Sequence, residues 1–218
     1  MEAPEDVSLV HRMFLLAYRP EHQRLGGGQH LGLVLNAAAL HGLLDAGFLA
    51  DEGGKVRIAA ARGTAPNGAL EAELFARVAA SERPRSWRHW VKKSAATAVG
   101  TVRTELARSR VIRLEKGRVL LVFPTQLVVL RQPRMRTAAV AGVRDALRPT
   151  QPASRVPRRQ AASAAFAHIG EMNTVMSGGE RRAARDRVGE LTAGLGPVPD
   201  ALRKAVRDAK ASSSGGGG

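Results

Sequence analysis

The sequence predicts a mainly α fold: a single globular helical domain with one clear β-hairpin at about residues 111–123 and a smaller one at about 48–58. Three observations carry that expectation. Aromatic residues make up only 4% of the chain while hydrophobic residues reach 44%, so aliphatic side chains and many alanines must fill the interior, and small residues suit closely packed helices. Apolar residues recur at three- and four-residue spacing along most of the chain, the period of a helix with one buried stripe. Two segments break that rhythm with apolar runs on either side of a turn-rich quartet or triplet, the pattern of a hairpin.

From Ser8, the residues Leu9, Met13, Phe14 and Leu16 keep helical spacing until Arg19-Pro20 interrupts it. Gly26-Gly27-Gly28 reads as a connection, and Leu31 to Ala46 as a buried helix with Gly47 as its stop. Asp51-Glu52-Gly53-Gly54 turns the smaller hairpin. Ala65-Pro66-Asn67-Gly68 is a second turn, launching a helix with Leu70, Leu74 and Val78 in register that closes at Arg83-Pro84-Arg85. Ser86 to Lys93 is a short amphipathic piece. Thr97 to Ser109 reads as a helix, followed by a hairpin whose strands are Val111 to Leu114 and Arg118 to Phe123, joined at Glu115-Lys116-Gly117. Beyond Arg134 the expected helices are roughly 134 to 148, 158 to 176, 180 to 194 and 199 to 210. Residues 1–7 and 211–218 read as flexible ends around a domain at 8–210, and no internal repeat is found.

Charge narrows the function classes. The 34 Lys and Arg against 19 Asp and Glu give a net charge of +15, and residues 116 to 218 hold most of the excess. A field of that sign attracts polyanions, whether nucleic acid or an anionic bilayer. The absence of cysteine excludes disulfides, thiolate metal sites and cysteine nucleophiles. The acidic start Met1-Glu2-Ala3-Pro4-Glu5-Asp6 does not read as a signal peptide, and no run approaches the roughly 18 apolar residues of a membrane span. A cytoplasmic protein with peripheral membrane contact is the expectation.

No motif points to catalysis. His11, His22, His30, His41, His89 and His168 form no pair at metal-ligand spacing, and the glycines at 26, 28 and 32 miss the dinucleotide-loop spacing. No nucleophile elbow or phosphate loop is present. No catalytic residue, metal or cofactor is therefore expected. The helix at 97–109 with the hairpin at 111–123 also fits the recognition helix and wing of a nucleic-acid-binding regulator, although a long Pro-, Arg- and Trp-rich stretch interrupts the usual order of helices.

Taken in order, several segments resemble one family. Ser8-Leu9-Val10 through Phe14-Leu15-Leu16-Ala17, Ala46-Gly47-Phe48-Leu49, and Ala65-Pro66-Asn67-Gly68 before Leu70-Glu71-Ala72-Glu73-Leu74 come first. Trp90, Val102 to Phe123, and Arg158-Arg159 with Ala167-His168 follow. In this order and spacing the chain resembles the Golgi phosphoprotein 3 family and its bacterial relatives from about Ser8 to Leu195. The resemblance implies a non-catalytic peripheral membrane adaptor with a pocket for phosphatidylinositol 4-phosphate, a hairpin used in self-association, and a protein cargo.

The pocket that the resemblance implies uses a tryptophan, an arginine and two basic residues three apart; these positions fall here on Gly27, Asn36, Ala96 and Val99, so none of the four is kept and the cationic donors are replaced. Arg24, Lys92, Lys93 and Arg103 lie close to those positions in sequence and are the candidate contacts to anionic phospholipid. Val119, Leu120 and Leu121 on the hairpin are the candidates for membrane insertion or self-association, the alternative being that they cover the domain core. A protein-binding module that has lost lipid binding is the remaining reading.

Overall fold

The computed structural model describes residues 7–26, 30–59, 65–119 and 123–214. Helix α1 (Leu9–Leu16) starts at Ser8, whose Oγ accepts the His11 main-chain N–H at 3.2 Å. A short antiparallel pair follows, β1 (Tyr18–Arg19) with β2 (Arg24–Leu25), where the sequence predicted only an interruption. Helix α2 (Leu31–Asp45) ends as expected at Gly47, whose φ of +74° lets the Phe48 N–H reach back to the Leu43 carbonyl at 2.9 Å. Strands β3 (Leu49–Glu52) and β4 (Lys55–Ile58) form the small hairpin around Gly53 and Gly54, both at positive φ. Helices α3 (Ala69–Ala79), α4 (Trp87–Lys92) and α5 (Ala95–Arg108) lead to the long hairpin β5 (Ile112–Val119) and β6 (Phe123–Leu130).

That hairpin is longer than predicted and turns elsewhere. Ile112 pairs with Leu130 and Val119 with Phe123, so Glu115-Lys116-Gly117 lies inside β5 rather than at the turn. Pro124 reads in sequence as the end of a strand, yet proline is tolerated in a ribbon that has no central strand. The β-branched and aliphatic run Leu127-Val128-Val129-Leu130 then extends the pairing. The connection at residues 120–122 lies outside the described residues.

Helices α6 (Pro133–Leu147), α7 (Arg158–Ile169), α8 (Gly178–Ala183), α9 (Arg185–Thr192) and α10 (Val198–Ser214) complete a mainly helical single domain. The predicted helix 158–176 stops at Gly170 because the chain turns there: Glu171 adopts a φ of +54°, and a Cβ on Gly170 would stand 2.2 Å from Val34. The predicted helix 180–194 is two helices, broken at Ala184. Helix α10 continues through Ser214, past the expected end at 210.

Helix α2 is the axis of the core. Every residue from Leu31 to His41 is buried, and α1, α3, α4, α5, α7 and α10 all pack on it. A helix apolar all round needs such a sheath, since it has no face for water. The alanines of α7 are all buried. Near the N-terminus of α2, a Cβ on Gly32 would lie 1.9 Å from the Ala95 carbonyl oxygen, so glycine is required where α5 begins. Gly32→Ala should therefore cost about 2 kcal/mol or more through overpacking, read as a lower urea midpoint.

A polar tie joins α1, α3 and α5. Glu105 accepts the Ala69 N–H at 3.2 Å and lies 3.2 Å from His11 Nε2. Burial alone would push the Glu105 carboxyl up, but His11 and the Ala69 N–H outweigh it and hold it below the usual glutamate range. Its stabilisation is full above the ordinary glutamate value and is lost as pH falls through the lowered folded value. Glu105→Gln should accordingly flatten the loss of stability as pH falls below the usual glutamate range in urea titrations.

Candidate functional site

The amphipathic piece predicted at Ser86 to Lys93 becomes α4, and its two faces do different work. Trp87, Trp90 and Val91 are buried, which turns Arg88, His89 and Lys92 outward at the complementary positions. Ser86 caps the helix by accepting the His89 N–H at 3.3 Å. Trp87 Nε1 donates to Asp51 of the small hairpin, and the Val56 N–H donates to the Arg85 carbonyl at 2.9 Å. Asn36 of α2 fixes the other end: its Nδ2 donates to the Val91 carbonyl at 3.0 Å and to the Lys93 carbonyl at 2.8 Å.

Arg85, Arg88, His89, Lys92 and Lys93 line one open cleft of about 610 Å³ with Pro84 and Ser86. Its field is positive. The His89 imidazole is pushed below its ordinary value first by burial and then by the Arg85 and Lys93 charges. One carboxylate reaches this wall from α10: Asp208 accepts from Lys92 Nζ at 3.1 Å and lies 3.6 Å from Arg88. The Lys92 hydrogen bond, against a small opposing effect of burial, holds Asp208 below the usual carboxylate range, with the charges of Lys92, Arg88 and Arg207 adding to it. Arg85 and Lys93 make no ion pair among the described residues.

Of the four candidate cations read from sequence, the structure brings Lys92 and Lys93 into this cleft. Arg24 stands on β2 opposite Arg19, and Arg103 is half-buried on α5; neither lines it. Arg85, Arg88 and His89 were not singled out, although their alternation with Trp87, Trp90 and Val91 carried the signal. Val119 closes β5 opposite Phe123, while Leu120 and Leu121 lie outside the described residues. Among the four positions where the resemblance implies a headgroup pocket, Gly27 is also outside them. Asn36 is spent on the α4 carbonyls, and Ala96 and Val99 occupy the first turns of α5, exposed and half-buried.

Among the described residues, no helix is long and apolar enough to cross a membrane, and no group of His, Asp and Glu is arranged to hold a metal ion. Fold and cleft together define a helical, single-domain protein with an open cleft lined by basic side chains. The chain matches the family model of Golgi phosphoprotein 3 (GPP34) over residues 9–209, and it belongs to that family. Membership is consistent with a non-enzymatic adaptor that binds lipid or protein. Among curated proteins none matches the chain.

Asn36→Ala removes two hydrogen bonds to carbonyls at the C-terminal end of α4. A loss of about 2–3 kcal/mol is expected in chemical denaturation, with faster amide exchange in residues 90–93 than in the rest of the domain.

Proposed function

We propose that this protein is a peripheral membrane adaptor that docks on anionic phospholipid through the basic cleft of α4. The observation that carries the reading is the convergence of Arg85, Arg88, His89, Lys92 and Lys93 on one open cleft. Cations near an anionic bilayer contribute on the order of 1 kcal/mol each, so four or five on one face hold a protein of this size at the surface at low salt and release it at high salt. The family resemblance makes phosphatidylinositol 4-phosphate the headgroup to try first. Its phosphomonoester needs charge-assisted donors at short range. Asn36, Ala96 and Val99 cannot supply them, and in our reading the α4 cations do so from the adjoining surface.

Asn36 links the two surfaces. It stands where the resemblance expects an arginine, and its amide holds the main chain that carries Lys92 and Lys93. An uncharged residue at that position fits a site displaced outward along α4. Asp208 then acts as an internal competitor, an anion already seated against two of the cleft's cations.

In vesicle flotation at low salt, the protein should bind vesicles containing phosphatidylinositol 4-phosphate or phosphatidylserine and ignore phosphatidylcholine. The pair Arg85→Ala with Lys93→Ala should weaken partition by about tenfold or more, and Asp208→Asn should strengthen it. Absence of binding to every anionic vesicle would remove the proposal. A salt-resistant, sequence-selective complex with DNA would favour the nucleic-acid reading, and specific protein capture without lipid binding would favour a protein-binding module.

A further inference from the structure

Helix α10 packs against α4, and ion pairs at its two flanks fix which way it faces. On one flank Asp208 accepts from Lys92 Nζ at 3.1 Å and stands 3.6 Å from Arg88; on the other, Lys210 pairs with Glu171. Val198, Ala201, Leu202, Ala205 and Val206 are buried underneath. The stripe between the flanks, formed by Asp200, Arg203, Lys204, Arg207 and Ala211, is exposed. We infer that this stripe is a second row of membrane contacts, continuous with the α4 cleft, which lays α10 along the surface of an anionic bilayer. The inference rests on the lipid-docking reading and adds the orientation in which the protein docks.

Continuity between the two rows comes from Asp208. Its carboxylate meets two α4 cations that sit one turn apart, so the outer ridge of α4 and the exposed stripe of α10 share an edge. Lys204 stands one turn before Asp208, and Arg207 adjoins it. Arg85, Lys93, Lys204 and Arg207 make no ion pair among the described residues; Arg88 and Lys92 share one carboxylate, and Arg203 is matched by Asp200. The surplus charge is therefore spread over both helices. A spread positive surface fits a sheet of anionic headgroups, where each cation within a Debye length adds its own attraction. The apolar face of α10 is spent on the core, so the helix rests at headgroup level without inserting.

The same two rows lack what a nucleic-acid reader needs. Trp87 and Trp90 are buried and cannot stack on bases. The exposed stripe of α10 carries no Asn or Gln to pair with a base edge, and Asp200 and Asp208 beside it would face phosphates. A bilayer requires only positive charge presented along a plane.

Because the chain has no cysteine, one fluorophore can be placed at a chosen position of the full-length protein. Ala211→Cys puts it on the α10 stripe; Ala138→Cys puts it on the exposed face of α6, a helix that packs on α1 and α7. The probe is vesicles of phosphatidylserine in phosphatidylcholine at about 0.1 M salt, where the Debye length is about 10 Å. On binding, the label at 211 should shift to shorter wavelength and lose most of its quenching by acrylamide, while the label at 138 keeps both. Lys204→Ala with Arg207→Ala should lower partition about tenfold, whereas Arg134→Ala with Arg144→Ala, which takes the same charge from α6, should change it by less than about twofold. Equal losses from the two pairs, equal shielding of the two labels, or unchanged partition of the α10 pair would overturn the inference. So would binding of random double-stranded DNA that the α10 pair abolishes while vesicle partition stays intact. If the wild-type protein ignores these vesicles, the lipid-docking reading falls and takes the inference with it. If it binds them and only Arg85→Ala with Lys93→Ala weakens binding, the reading stands and the inference alone falls.

Discussion

Asn36 spends both hydrogens of one amide on the carbonyls of Val91 and Lys93 from a position with no solvent exposure, and the placement of the cationic face follows from that contact. Helix α4 has only six residues, far below the length at which a helix holds itself together in water. Its geometry is imposed from outside. Asn36 grips one end, Ser86 caps the other, Trp87 and Trp90 sink into the core, and the Trp87 indole is tied to the small hairpin through Asp51. Four cationic residues and His89 therefore stand on a fixed ridge, so binding an anion there would cost little main-chain ordering entropy. The same contact depends on α2 standing close to the start of α5, which glycine at position 32 permits.

Net charge by halves gave a poor map of where positive potential is available. Residues 116 to 218 hold most of the excess of basic side chains. Many of those arginines act as internal braces. Arg187 donates to the Ala146 and Gln151 carbonyls at 3.1 and 2.8 Å and pairs with Glu190 at 2.8 Å. Arg136 donates to the Tyr18 carbonyl at 3.0 Å, Arg181 bonds Asn173 and the Met176 carbonyl, and Lys210 pairs with Glu171. A guanidinium spanning two or three main-chain acceptors is a cross-link between elements, and its charge is directed inward. The four cations of the α4 cleft all come from the first half, and two of them share one carboxylate.

The helical class, the buried α2, its glycine stop and the small hairpin were legible because each rests on local chemistry: periodicity, a left-handed glycine, a two-glycine turn. What was not legible depends on distance in space. The long hairpin was misplaced because Glu115-Lys116-Gly117 has turn composition while lying inside a paired strand, and only the register with residues 125 to 127 reveals it. The helix ends at Gly170 with a positive φ at Glu171, and a side chain at 170 would collide with Val34, a constraint that no local pattern encodes. All four candidate cations were chosen for closeness in sequence to the pocket positions; Lys92 and Lys93 line the cleft because they close α4, whereas the fold carries Arg24 and Arg103 elsewhere. Arg85, Arg88 and His89 needed one further step: a helix that buries two tryptophans must turn its intervening residues outward.

Helix α2 carries two fully enclosed polar side chains, Asn36 and His41, five residues or roughly 7.5 Å apart along its axis. A helix sheathed on all sides gains stability from apolar residues at such positions, and a polar one costs free energy unless its hydrogen bonds are made. Asn36 meets the condition on its donor side, and its contacts place α4. On the acceptor side both are alike, since Asn36 Oδ1 and His41 Nδ1 are enclosed without a hydrogen-bond partner among the described residues. Packing alone gives no reason for a histidine at 41, because a phenylalanine there would keep the edge contact with Phe166 and leave no lone pair unmatched. Of the two, Asn36 is the one whose hydrogen bonds reach another helix, and through them the buried helix positions the residues that present charge at the surface.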